Sequence, residues 1–208
     1  TPDNLTAWRD EMCQKLLKKT VRGRMVSVRT FCTWLLDTGK IKMIPYRKKM
    51  LPKLKKSGPK FYATAEWMAL DEAAAKINAN ARLAFNLAYN TGLRLVELAG
   101  NKYRQGVLWD DLTWNPDGSV NLTIREEVSK SMAGVLRLDP GTVALLGSRK
   151  SGPIITMPRN ALRHIFNKCR KIVGNPKLTI HRLRHSFVKN ILERGEGDLK
   201  SAMEAARH

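Results

Sequence analysis

His181-Arg182-Leu183-Arg184-His185 places three charged or titratable side chains on neighbouring turns at the start of a predicted helix. Positions i, i+3 and i+4 of a helix share a face, so His181, Arg184 and His185 are expected to converge on one small volume. Thr179 precedes them as an N-cap, and the exposed amides of a helix start favour an anion. Two imidazoles and a guanidinium aimed at one spot suit a phosphate better than a metal or an acyl group. That combination points to phosphoryl chemistry on nucleic acid.

The composition supplies the polymer. The 208 residues carry 38 Lys+Arg against 18 Asp+Glu, a formal charge of +20, and the pI is about 10.3. This is the electrostatic footprint of a nucleic-acid binder; a ribosomal-type or merely basic protein is the blander alternative. With 43% hydrophobic residues there is ample core, for one large domain or two small ones. No apolar run approaches the roughly 18 residues that span a bilayer, and the N-terminus does not read as a signal peptide. Cys13, Cys32 and Cys169 are far apart, with no C-x-x-C pair. They read as reduced thiols of an intracellular protein, with no zinc site. No membrane partner is expected, and the expected location is with DNA in cytoplasm or nucleoid.

The charge is uneven. Residues 1–60 hold 16 Lys+Arg and 4 Asp+Glu, net +12, whereas residues 61–208 hold 22 and 14, net +8. Leu5 to Leu17 reads as a helix with Leu5, Trp8, Met12 and Leu16 in phase. A second helix runs from about Arg22 to Thr38, with Val28, Phe31, Trp34 and Leu35 as its apolar stripe and Gly39 as its stop. Two helices make a thin domain, so residues 1–44 are expected to belong to a larger helical unit. Between Pro45 and Lys60 lie Arg47, Lys48, Lys49, Lys53, Lys55, Lys56 and Lys60, with three prolines and no acid. The prolines predict an extended segment. It reads either as a solvated linker or, given its cation density, as a strap along a phosphate backbone.

From residue 61 the pattern is helical again. Thr64 is the expected N-cap of a helix over about Ala65–Ala75. A helix over Asn78–Asn90 is apolar on nearly all sides and should be buried; Thr91-Gly92 ends it. The period then changes. Val107–Thr113 reads as a strand, Asn115-Pro116-Asp117-Gly118 as a turn, Val120–Arg125 and Val135–Leu138 as two further strands. Residues 160–173, 179–193 and 198–208 return to helical spacing.

Two more side chains stand out. Arg94, among Leu93, Leu95, Val96 and Leu98, is expected in an apolar neighbourhood where an unpaired charge is costly; Glu97, one turn on, could hold it as a bidentate pair. Taken alone this is equally a structural ion pair. Lys130 sits in the polar connection Val128-Ser129-Lys130-Ser131. Most hairpin-tip lysines are simply solvated, but one here could reach a reacting phosphate. The two histidines at i, i+4 resemble a zinc-protease helix only superficially, because Arg182 stands where glutamate is needed. No nucleophile elbow and no glycine-rich phosphate loop occurs.

In order, Thr91-Gly92-Leu93-Arg94-Leu95-Val96-Glu97-Leu98, a hairpin lysine and His181-x-x-Arg184-His185 resemble the tyrosine recombinase (phage-type integrase) family. The resemblance covers 61–208 well and Val21–Pro45 more loosely. It implies a mainly α fold with a small three-stranded antiparallel sheet: a catalytic domain over 61–208, a basic linker over 45–60, and a partial helical core-binding domain over 1–44, the two domains clamping opposite sides of duplex DNA. It implies that Arg94 and Arg184 grip the scissile phosphate, that His181 hydrogen-bonds it and assists proton transfer, and that Lys130 protonates the departing 5′-oxygen. Glu97 would orient Arg94 and His185 would pack or bond behind the site. His208 would match a third phosphate-contacting position, although Arg207 stands before it where the family usually has glycine. Arg22, Arg24 and Arg29, with the seven cations of 45–60, would contact DNA.

Fixed guanidinium donors stabilise charge developing on the non-bridging oxygens, and a general acid on the leaving oxygen adds roughly 10²–10⁴-fold. No metal or other cofactor is called for. The family's nucleophilic tyrosine lies nine residues beyond the third phosphate-contacting position, whereas Tyr46, Tyr62, Tyr89 and Tyr103 all precede the motifs. The expectation is a chain truncated at both ends that binds double-stranded DNA as a monomer or weak associate without cutting it. The intact protein would act as a tetramer on DNA with exchange of its C-terminal helix. A non-catalytic binding module on the same fold and a metal-dependent nuclease are the rival readings.

Overall fold

The computed structural model describes residues 1–54, 60–129 and 133–194. The chain divides into two compact units, Thr1–Gly58 and Pro59–His208.

The first unit holds helices α1 (Pro2–Lys15) and α2 (Lys18–Asp37). Val21 and Met25 of α2 are fully buried, and Leu5, Trp8 and Met12 of α1, with Leu16 just after it, pack around them. The anticipated α1 stripe therefore does face a core. The anticipated α2 stripe does not: Phe31 and Trp34 are more than half exposed and stack on each other. The basic segment also departs from expectation, because Lys48–Met50 form a 3-10 turn rather than extended chain. Tyr46 and Met50 inside that cationic run join the core with Val21 and Met25, and Leu51 packs against it. The turn between Tyr46 and Met50 leaves Arg47, Lys48 and Lys49 in solvent.

In the second unit the sequence order is α3 (Thr64–Ile77), α4 (Ala79–Thr91), α5 (Leu95–Ala99), a three-stranded sheet, α6 (Pro140–Leu146), α7 (Arg159–Ile172) and α8 (Ile180–Arg194). Asn78 ends α3 and starts α4: its amide donates to the Ala74 carbonyl and its side chain accepts from Ala81 N at 2.9 Å. Helix α4 buries Leu83, Ala84, Phe85, Leu87 and Ala88 at once, as its all-round apolarity predicts, and packs against α3, α5, α6, α7 and α8. Gly92 caps it at φ +68°.

The sheet is antiparallel in the order β1 (Leu112–Trp114), β2 (Val120–Ile124), β3 (Gly134–Arg137). Leu122 of β2 faces Leu112 on one side and Leu136 on the other. Most of the strand expected over Val107–Thr113 is not strand. Trp109–Asp111 form a 3-10 turn, and the backbone of Val107 and Trp109 pairs with Ile154 and Gly152 instead of β2. Alternation there reflects burial of Val107 and Trp109, which a loop satisfies as well as a strand. Helix α6 is not among the expected elements, although Asp139-Pro140 carries its signal: the Asp139 carboxylate caps Thr142 N at 3.1 Å, and proline occupies the first helical position. The helix expected over 198–208 lies outside the described residues.

Candidate phosphate pocket

Residues Leu93 and Arg94 link α4 to α5, and Arg94 is the N-cap of α5. That position turns its side chain outward, so the side chain is 41% exposed rather than enclosed by its apolar sequence neighbours. The buried partner is Glu97. Its carboxylate accepts from the Arg94 amide at 2.7 Å, from Arg94 Nη1 at 3.0 Å and from Ser129 Oγ at 2.7 Å. One carboxylate thus fixes the backbone and the guanidinium of Arg94 and ties both to the connection after β2. Glu97→Ala would leave a buried hydroxyl and a helix-start amide without this acceptor. It is expected to lower unfolding free energy by about 1–3 kcal/mol, read from urea denaturation, with Glu97→Gln losing less.

Helix α8 brings the second group. It begins directly after Thr179, whose carbonyl accepts from Arg182 N at 3.0 Å. Leu183 and Phe187 point into the core, which sets the phase of the other residues. Arg184 is 3% exposed and donates through Nη1 to the Gly92 carbonyl. His181 is exposed at the helix start. His185 sits edge-on to His181 with ring centroids 4.7 Å apart. Arg182 faces elsewhere: it donates to the Phe61 carbonyl, pairs with Glu66 at 3.4 Å and lies over the Tyr62 ring, latching the entry to α3 onto α8.

Arg94, His181 and Arg184 line one cavity of about 260 Å³, with Arg159 and Arg163 from α7. The remaining lining residues are Leu93, Leu95, Val96 and Ile180, and no acid is among them. Five cationic or protonatable side chains from three helices therefore surround a space suited to an anion with several oxygens. His185 is not among them, so two of the three residues of the opening motif reach the cavity and the third lies against His181. Sequence reading missed Arg159, Arg163 and Ser129. A signal existed for the first: Arg159 occupies the first turn of a helix with no acid there, where the helix dipole disfavours a cation. Arg163 follows one turn later on the same face.

Lys130 and His208, assigned to catalysis by resemblance, lie outside the described residues, as do Lys55 and Lys56. Of the anticipated DNA-binding residues, Arg22 donates to the Pro52 carbonyl at 3.2 Å, Arg24 lies against Met12 Sδ at 3.5 Å and Arg29 lies over the Tyr46 ring. Arg47, Lys48, Lys49, Lys53 and Lys60 are exposed. None of the four tyrosines lines the cavity. Tyr46 is buried in the first unit, where burial pushes its phenol pKa up. Tyr62 donates to the Thr179 carbonyl at 3.2 Å, and burial raises its pKa strongly. Tyr89 stacks on Trp67, with centroids 4.2 Å apart, and Tyr103 stands on a surface loop. Among the described residues no group of three or more His, Cys, Asp or Glu side chains could hold a metal. Nor is any helix there long and apolar enough to cross a membrane.

Comparison with known proteins agrees with this architecture. The model of the phage integrase family matches residues 62–208. Tyrosine recombinase XerC of Lactobacillus delbrueckii subsp. bulgaricus is 27% identical over 211 residues, an alignment covering 94% of this chain and 70% of that protein. XerC of Xylella fastidiosa is 27% identical over 214 residues, covering 93% and 67%. Among solved structures, a lambda integrase dimer bound to a COC′ core site superposes with a TM-score of 0.72 at 18% identity, covering 100% of this chain and 78% of that one. The Tn1549 transposon integrase in complex with circular intermediate DNA gives 0.66 at 15% identity, covering 100% and 77%.

Proposed function

The chain belongs to the phage integrase family of tyrosine recombinases, and we propose that its 208 residues are the DNA-gripping, phosphate-organising part of a site-specific strand-exchange enzyme. The observation that carries this reading is the shared, acid-free cavity of Arg94, His181 and Arg184.

In this reading Arg94 and Arg184 bind the non-bridging oxygens of one phosphodiester. A tyrosine phenol attacks the phosphorus, forming a 3′-phosphotyrosyl bond as the bond to the 5′-oxygen breaks. His181 assists removal of the phenol proton, and Lys130 delivers a proton to the leaving 5′-oxygen. Rejoining reverses these steps with a 5′-hydroxyl as nucleophile, so no energy source is consumed. His208 is the third phosphate-binding group. Residues 1–44 grip duplex DNA, and the cations of 45–60 lie along its backbone. Chains that carry the tyrosine assemble as tetramers on DNA through exchanged C-terminal helices; the 208-residue chain is monomeric or weakly associated and resides with DNA inside the cell.

In this reading the phenol belongs to a tyrosine other than these four, which is consistent with Tyr46, Tyr62 and Tyr89 being held in packed or hydrogen-bonded positions and Tyr103 not lining the cavity. The test uses a nicked suicide duplex carrying the recombination site. The 208-residue chain is expected to bind it, with affinity falling steeply as salt rises, and to form no covalent adduct. A denaturation-resistant protein–DNA species would refute the assignment of the nucleophile. Failure to bind any duplex at low salt would refute the reading as a whole.

A further inference from the structure

A second cavity, of about 650 Å³, adjoins the phosphate pocket and shares Arg159 with it. Its other cations are Lys102 and Arg104, and none of its lining residues is acidic. One wall is the loop Gly100–Gly106, whose construction is specific. At its neck the two glycines pack backbone on backbone: a Cβ on Gly106 would lie 2.2 Å from the Leu98 carbonyl oxygen, and one on Gly100 would lie 2.6 Å from Gly106 N. Asn101 Oδ1 accepts from the amides of Tyr103 and Arg104, and Asn101 and Arg104 pair across the loop. Arg125 holds the Gly106 carbonyl at 3.0 Å and is itself paired to buried Asp111 at 2.8 Å. The opposite wall is fixed too, because Asn80 Oδ1 accepts from the amides of Thr156 and Met157.

Every residue from Asn101 to Gln105 is nevertheless exposed. A loop anchored this firmly at its base, and presenting Lys102, Tyr103 and Arg104 at its tip, is a rigid display of charge. The Lys102 ammonium lies 4.6 Å from the centre of the Tyr103 ring.

We propose that the Gly100–Gly106 loop and the Thr156–Asn160 segment form a second phosphate-binding groove, which holds the DNA strand next to the reacting phosphodiester through Lys102, Arg104 and Arg159. The argument is continuity and charge. Phosphates of one strand follow each other about every 3.4 Å of helix axis, so a strand seated in the first pocket must present its next phosphates to the adjoining surface. That surface carries three cations and no competing carboxylate. Arg159, common to both cavities, bridges consecutive phosphates. The groove thereby sets the register in which the duplex meets the pocket, a positioning role that interactions with the backbone fulfil. This inference rests on the reading of the chain as a DNA recombinase.

The experiment measures binding of the 208-residue chain to a fluorescein-labelled duplex of mixed sequence, by anisotropy across a salt series. Lys102→Ala/Arg104→Ala should flatten the plot of log K against log salt by about 1.8, at about 0.9 for each phosphate no longer neutralised. The same removal of charge at Lys76 and Lys171, both exposed and outside both cavities, should leave the slope unchanged. Equal slopes for the loop variant and the wild type would overturn the groove while leaving the recombinase reading intact. So would weaker binding at an unchanged slope, or an equal flattening by the Lys76/Lys171 variant. A wild-type chain that binds no duplex would sink both.

Discussion

Gly92→Ala is expected to destabilise the second unit by about 2–5 kcal/mol. Gly92 lies at φ +68°, where a Cβ meets its own carbonyl and costs about 1–2 kcal/mol. That Cβ would also stand 2.4 Å from Phe187 Cδ1, and within 3.1 Å of two further ring atoms. Phe187 is 7% exposed and belongs to the core cluster, so its ring can retreat only by displacing packed neighbours, at about 1–3 kcal/mol. The measurement is the urea midpoint at constant m-value. A double variant with Phe187→Leu should recover the steric part and leave the backbone part. The coupling separates the two causes; an unfolding free energy within about 0.5 kcal/mol of wild type would show that α8 does not press on Gly92.

The second large effect is chemical. In a chain that carries the nucleophilic tyrosine, Arg184→Lys is expected to slow single-turnover cleavage by about 10²–10³-fold, the cost of losing one fixed donor to a developing oxyanion. Arg184 reaches the Gly92 carbonyl with one nitrogen while its guanidinium borders the cavity. A planar fork can face two acceptors at once, and a single ammonium at the end of a flexible stem cannot. Because lysine keeps the charge, the salt dependence of DNA binding should not change. Cleavage at the wild-type rate would remove Arg184 from the transition state. A matching loss in affinity would mean that it serves binding alone.

Much of this site is legible in the sequence alone. The H-x-x-R spacing fixes His181 and Arg184 on adjacent turns of α8, and Thr91-Gly92 marks the end of a helix buried on all sides. The cavity does bring Arg94, His181 and Arg184 together, whereas the role of Arg94 rested on family resemblance, because alone it reads equally as a structural ion pair. What the pattern misjudges is their surroundings. Arg94 has apolar sequence neighbours but caps a helix, and a cap residue points away from the stripe that follows it. Arg184, between leucine and histidine, is the one that is buried. Arg159, Arg163 and Ser129 join the site only through tertiary contacts across tens of residues, and no local periodicity encodes such a meeting. Prolines and lysines dominate the basic run at 45–60, yet Lys48–Met50 form a turn and Tyr46 and Met50 are buried.

The junction at Gly92 carries a wider implication. A left-handed backbone, a ring seated against bare Cα and a carbonyl captured by an arginine all converge on one residue, and the last two require α8 to be in place. Loosening α8 therefore releases Arg184 in the same event that exposes Phe187. Competence and compactness of this unit should vanish along a single transition curve, leaving no inactivated yet still folded species for a denaturant titration to find.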